Sequence, residues 1–110
     1  WVEKNINIDR SIEMLKIAYN KNPNSHYILD SLAWAHFKNN ELSTAVSLME
    51  SVIIKAPAEA ISLDHLGDIY FAMKRKREAF YMWKQAKDLA EPDDNIIQNI
   101  QKKIEKYNAG

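Results

Sequence analysis

Leu63-Asp64-His65-Leu66-Gly67-Asp68-Ile69-Tyr70-Phe71, residues 63–71, repeats a pattern that first stands at Leu29-Asp30-Ser31-Leu32-Ala33-Trp34-Ala35-His36-Phe37. The two leucines, the aspartate and the phenylalanine each recur 34 positions later, as do Pro23 at Pro57 and Ala45 at Ala79. Similar side chains fill other matched places: Ala33 with Gly67, His36 with Tyr70, Met49 with Trp83. Self-similarity at this period describes stacked helical hairpins, none of which buries its apolar face alone.

Outward from that core the apolar positions keep helical spacing. Ile12, Leu15, Ile17, Ala18 and Tyr19 recur near i+3 and i+4, a stripe predicted to be buried, with Asn7 as a plausible cap before it. Pro23 ends that helix, because proline cannot extend the hydrogen-bond ladder and restricts the residue before it. Asn24 or Ser25 caps the next one, which carries Ile28, Leu29, Leu32, Ala33 and His36 on one face to about Lys38. Asn39-Asn40 breaks it, and Leu42, Ala45, Val46, Met49, Val52 and Ile53 make a third stripe closed by Pro57. The cycle then repeats through Leu63 to Tyr70, a basic turn, and Ala79, Trp83 and Ala86, with Glu91-Pro92 as the stop. A sixth helix is expected from Asp93 to about Tyr107, with Ile97, Ile100 and Ile104 inward and Gln101, Lys103 and Glu105 on a wet outer face.

At this point the chain resembles the tetratricopeptide repeat (TPR) family, whose pattern runs W-x₂-L-G-x₂-Y, then A-x₃-F, then P. Leu63, Leu66, Gly67 and Tyr70 followed by Ala79 and Trp83 match it, as do Leu29, Leu32, Ala33 and His36 followed by Ala45, Met49 and Pro57. The resemblance implies an all-α, right-handed α-solenoid of helix-turn-helix repeats. It divides one domain, 1–110, into a truncated repeat (1–23), two full repeats (24–57 and 58–92) and a C-terminal capping helix (93–107). In the truncated repeat, Trp1 to Lys4 would be the tail of a first helix. The 29–34 and 63–68 segments also look like the terminal repeats of bacterial TPR proteins, some of them exported or lipid-anchored.

Composition narrows the function classes. The 110 residues are 46% apolar with two Gly, three Pro and no Cys, which suits a helical core and excludes disulfide and thiolate chemistry. Fifteen basic and fifteen acidic residues leave no net charge to draw the chain to nucleic acid or anionic lipid. No apolar run approaches the ~20 residues of a membrane span. The chain begins at Trp1, so an upstream targeting segment would lie outside it, and both the cytoplasm and the periplasm stay open. His26, His36 and His65 form no two-ligand metal spacing, and neither a phosphate loop nor a nucleophile motif occurs. No enzyme activity, cofactor or metal is therefore expected, and His36 is read as a packed, hydrogen-bonded core histidine.

The functional expectation is a scaffold that binds a peptide or protein segment. By the resemblance, the first helix of each hairpin lines a concave groove. It would carry Tyr27, Asp30, Trp34 and Lys38 on one helix, then Ile61, Asp64, His65, Asp68 and Phe71 on the next. Asn95, Gln98 and Lys102 would follow on the capping helix. The aromatics offer apolar area at little entropic cost, and Asp30, Asp64 and Asp68 suit a basic or amphipathic partner. Capture of acidic chaperone tails, known in the family, needs Lys, Arg and Asn where Asp30, Trp34, His65 and Asp68 stand. The alternative is self-association, as a homo-oligomer, or docking through an apolar edge of Trp1, Ile6, Ile8, Ile12 and Leu15. Nucleic-acid or lipid binding through Lys74-Arg75-Lys76-Arg77 ranks below both, since that run also suits a solvated turn.

Overall fold

The computed structural model describes residues 2–55, 59–91 and 95–108, with side chains from residue 8 to residue 107 within these ranges. Six elements occur among the described residues, all α-helices: α1 (Val2–Lys21), α2 (His26–Lys38), α3 (Leu42–Lys55), α4 (Ala60–Ala72), α5 (Lys76–Leu89) and α6 (Asn95–Asn108). No strand occurs among the described residues. The chain divides into two compact units, Trp1–Lys55 and Ala56–Gly110. In the first, α2 and α3 form a hairpin with α1 against α2; in the second, α4 and α5 form a hairpin and α6 packs on both.

Two expectations about α1 need correction. It runs unbroken from Val2 to Lys21, so Asn7 neither caps it nor separates an earlier helix tail. Asparagine is a permissive cap, but nothing in its chemistry forces a break inside a helix. The buried stripe also excludes Ile17, which is exposed, while Ile12 is buried and Leu15, Ala18 and Tyr19 are partly covered.

Ser25 caps α2, its side chain accepting from the Ile28 backbone N–H at 3.3 Å. The hairpin turns then close by one mechanism used twice. After α2, Glu41 N–H donates to His36 O and Asn40 N–H to Phe37 O, each at 2.9 Å, with Asn40 at φ 62. After α4, Arg75 N–H donates to Tyr70 O (2.9 Å) and Lys74 N–H to Phe71 O (3.0 Å), with Lys74 at φ 66. These are Schellman closures, which need a left-handed residue just beyond the helix. Asn40 adopts that backbone readily, whereas a lysine there costs roughly 1–2 kcal/mol. Lys74→Gly is therefore expected to stabilise the protein by about 0.5–1 kcal/mol, after allowing for the freer unfolded chain. A rise in the urea midpoint at unchanged slope would show it; an unchanged or lower midpoint would contradict the strain argument.

The hairpin cores pair small with large. Ala33, Ala45 and Met49 are fully buried between α2 and α3, and Ala79, Ala86 and Trp83 between α4 and α5. The approach at Gly67 is so close that a Cβ there would overlap Trp83 Cδ1 and Nε1 and lie 3.0 Å from Cε2. Methionine bends around an alanine methyl, but a rigid indole cannot, which accounts for Ala33 opposite Met49 and Gly67 opposite Trp83. In α6, Ile100 is buried and Ile97 and Ile104 are half-buried, the register that the sequence predicts. The start expected at Asp93 and the stops at Pro57 and Pro92 lie outside the described residues.

Candidate functional site

On α2 the expected binding face is made of side chains at successive helical steps. Tyr27 and Lys38 are exposed, and Asp30 and Trp34 half-buried, while Ala33 and His36 point into the core. The Tyr27 ring lies 4.1 Å from that of His26, and Trp34 packs 4.8 Å from Phe37 with Lys38 Nζ 5.4 Å from its ring centre. Trp34 therefore belongs half to the packing and half to the surface.

His36 is held from the turn that follows α2, its Nδ1 lying 3.1 Å from Glu41 Oε1. Asn39 Nδ2 donates to the same carboxylate at 2.9 Å and to Asp9 of α1 at 3.2 Å. The hydrogen bonds from Asn39 and His36 hold the Glu41 carboxyl below its ordinary value. Thirty-four residues later the same two places carry Tyr70 and Arg75, whose guanidinium sits 4.3 Å from the tyrosine ring centre. A hydrogen-bonded His–Glu pair is thus exchanged for a cation on an aromatic face, with the turn geometry unchanged. Arg75 also donates from Nε to Glu78 at 2.8 Å, so this member of the basic run is engaged within its own turn, while Lys74, Lys76 and Arg77 are exposed.

On α4 the expected acidic floor is already occupied. Lys103 of α6 donates to Asp64 at 2.9 Å and to both oxygens of Asp68 at 2.9 and 3.1 Å. The side chains are 28%, 10% and 21% exposed, respectively. Burial raises the Asp68 carboxyl by more than its hydrogen bond to Lys103 lowers it. For Lys103, burial opposes the charge, but the bonds to Asp64 and Asp68 prevail and lift the ammonium above its ordinary value. Lys103 consequently does not belong to the wet face where the sequence put it. Gln101 also has partners, accepting from Lys87 Nζ at 2.6 Å and donating to Glu105 at 3.1 Å. Phe71 meets the Tyr107 ring of α6 at 4.1 Å, the planes tilted by 31°, and sits 5.8 Å from Trp83. A signal for this docking was present: Lys103 lies between Ile100 and Tyr107 on the packing face, and Asp64 and Asp68, one turn apart, call for a cation.

Other expected site residues of this unit lie at the surface or near it. His65 is half-buried, and Gln98 and Lys102 are exposed on α6. Ile61, Asp64 and Asn95 come together in a cleft of about 640 Å³ where the starts of α4 and α6 meet the end of α5. Glu59, Leu89, Glu91, Ile96 and Asn99 line the rest, and sequence reading missed them because they sit at helix ends outside the periodic stripes.

The apolar edge expected on α1 is redrawn. Ile12 is only 5% exposed and belongs to the core, Ile8 and Leu15 are half-buried, and Met14 and Ile17 are the large exposed apolar side chains. Trp1 and the Ile6 side chain lie outside the described residues. Among the described residues no three His, Asp or Glu side chains group as metal ligands, and no helix is long and apolar enough to cross a membrane.

No family model and no curated protein matches the chain. Among solved structures it is similar to the C-terminal part of a TPR repeat-containing protein from Cytophaga hutchinsonii, with a TM-score of 0.73 at 22% identity. The match covers 97% of this chain and 42% of that one, so the chain spans less than half the length of its structural neighbour. With the 34-residue period, the paired turns and the small-to-large packing in place, the chain has an all-α fold of tetratricopeptide-like helical repeats.

Proposed function

We propose that the chain is a non-enzymatic interaction module that binds a peptide or protein segment on the leading helix of a hairpin, α2 in the first unit or α4 in the second. One observation carries the reading. Tyr27 and Ile61 occupy the same place in the repeat, 34 residues apart, and are 67% and 45% exposed. Folding does not require a large apolar side chain in water at one place in both hairpins, whereas a partner segment that removes either from water gains from it. The ionisable groups that the fold gathers support a binding role over a catalytic one, since Lys103 pairs with Asp64 and Asp68 and Glu41 engages His36.

Peptides selected from a displayed random library against the wild-type protein test this. Tyr27→Ala is expected to weaken the selected peptides that α2 holds, and Ile61→Ser those that α4 holds, each about five- to tenfold, the loss of one moderate contact, at unchanged unfolding midpoints. A library that enriches no sequence, or peptides that bind both variants like wild type, would remove the reading.

Self-association through α1 is the second reading. It moves from Ile12 to Met14 and Ile17, which lie on the exposed side of that helix. If it holds, Met14→Lys with Ile17→Lys lowers the mass measured by light scattering at high protein concentration; a wild type that stays monomeric there rules it out.

A further inference from the structure

We infer that the exposed start of α5 is a docking surface for a short acidic segment of a partner protein, one that carries an aliphatic residue among its carboxylates. It lies on a different helix from the surfaces proposed above and does not rest on them. Arg77, Tyr81 and Lys84 follow one another at helical steps of four and three residues, all exposed, and Lys74 and Lys76 stand exposed at the head of that stripe. Arg75 and Glu78 answer each other, whereas Lys74, Lys76, Arg77 and Lys84 form no ion pair among the described residues. Tyr81 is 58% exposed, a large ring with a cation about one turn to either side of it.

The fold itself does not ask for these residues. Thirty-four positions earlier the same turn and helix start are built with Asn40, Leu42 and Ser43 where Lys74, Lys76 and Arg77 stand, and with Ser47 and Glu50 in place of Tyr81 and Lys84. Two local rules are broken in the second hairpin alone. Lys74 takes the left-handed backbone that asparagine accepts more readily, and Lys76 and Arg77 put positive charge where the start of α5 is already positive. Rules broken in this way gather at functional surfaces. An anion on the stripe relieves the crowding of its cations, and an aliphatic side chain laid on Tyr81 takes both from water. Charge also selects among anions. Arg77 and Lys84 are seven residues apart, roughly 10 Å along the helix, which about three extended residues span. Asp88 continues the same face and ends its positive part. A nucleic acid carries charge along its whole length and would run on to Asp88, with no net charge on the chain to attract it. A short acidic segment needs cations only as far as Lys84.

The test is a titration of ¹⁵N-labelled protein with the capped peptide Gly-Glu-Asp-Leu-Asp-Glu-Gly. One control replaces its acids by Gln and Asn, a second replaces its Leu by Ser, and an oligothymidylate of the same charge is titrated beside them. The acidic peptide is expected to shift the amides of Lys76, Arg77, Tyr81 and Lys84, with a response at least tenfold weaker from the neutral control and several-fold weaker from the Ser control. Its affinity should fall several-fold between about 20 and about 150 mM salt, because the contacts are exposed. Arg77→Gln with Lys84→Gln is expected to weaken the peptide at least tenfold, and Tyr81→Ser several-fold, with little change in the unfolding midpoint, since these side chains are exposed. Lys74→Gly, expected above to raise the midpoint, should weaken the peptide at least twofold, so that stability and binding move in opposite directions. Equal response to the neutral control, indifference to salt or to the paired Gln variant, full affinity in Lys74→Gly, or shifts confined to other surfaces would overturn the inference. So would tighter binding of the oligothymidylate than of the acidic peptide, which would give the stripe to nucleic acid.

Discussion

Lys103→Met is expected to destabilise the protein by about 2–3 kcal/mol at pH 7. Methionine keeps the length of the lysine stem and most of its packing, so the loss isolates the charge. Removing one partner of a fully buried pair costs about 3–5 kcal/mol, and the partial exposure of Lys103 and Asp68 lowers that figure. The variant leaves Asp64 and Asp68 one turn apart, desolvated, with no cation between them. The Asp68 carboxyl, already raised by burial, then loses the hydrogen bond that holds it down, so the folded state binds more protons and stability rises as pH falls. The deficit should therefore shrink between pH 7 and pH 4. At the other extreme, the raised ammonium of Lys103 contributes stability that is complete below the ordinary lysine value of 10.5. That contribution is lost as pH climbs through the higher folded value, a limb the variant should lack. Urea unfolding at pH 4, at pH 7 and at about pH 11.5, above the ordinary lysine value, measures all three. A variant within about 0.5 kcal/mol of wild type at pH 7, or a deficit that grows on acidification, would show that the triad contributes no net charge pairing.

Trp83→Ala should cost about 3–5 kcal/mol, the range for deleting a large ring from a filled core. Trp83 is almost fully buried, and its ring centre lies 5.6 Å from Phe80, 5.8 Å from Phe71 and 5.9 Å from Tyr107. Its Nε1 is buried without a hydrogen-bond partner, so Trp83→Phe removes an unpaired donor along with some volume and should cost less than half as much. Gly67 supplies a sharper check. In the wild type, Gly67→Ala is expected to destabilise by about 1–3 kcal/mol through overlap with the indole, although alanine is the better helix former. Once Trp83 is alanine the overlap is gone, and the same substitution should stabilise by up to about 1 kcal/mol. A double-mutant cycle without this change of sign would mean that glycine is present for some reason other than the approach of Trp83.

Much of this architecture is legible along the chain, and the places where reading fails have physical causes. The 34-residue offset can be read because it only compares the chain with itself, and the cap at Ser25 and the break at Asn39-Asn40 because each depends on residues a few positions apart. Lys74 could not be read as a left-handed residue, since nothing in lysine announces it; the closure of α4 onto Tyr70 and Phe71 imposes that backbone. Asn7 misled in the opposite sense, a permissive cap inside a helix that continues past it. Ile12 and Ile17 both fit the apolar stripe of α1, yet one is core and the other surface. A stripe about 100° wide does not say how much of it a neighbour covers.

By itself the sequence determined the class of structure. Helical spacing, a repeat that pairs small residues with large ones and polar breaks at fixed intervals leave few other ways to bury these side chains. Tertiary structure alone decided what stays available for binding. Lys103 and Tyr107 reach α4 residues more than thirty positions away and occupy Asp64, Asp68 and Phe71, and three helix ends meet around an open cleft. Periodicity sets the direction in which a side chain leaves its own helix. Which distant side chain meets it there depends on how the helices dock, and that information is not local.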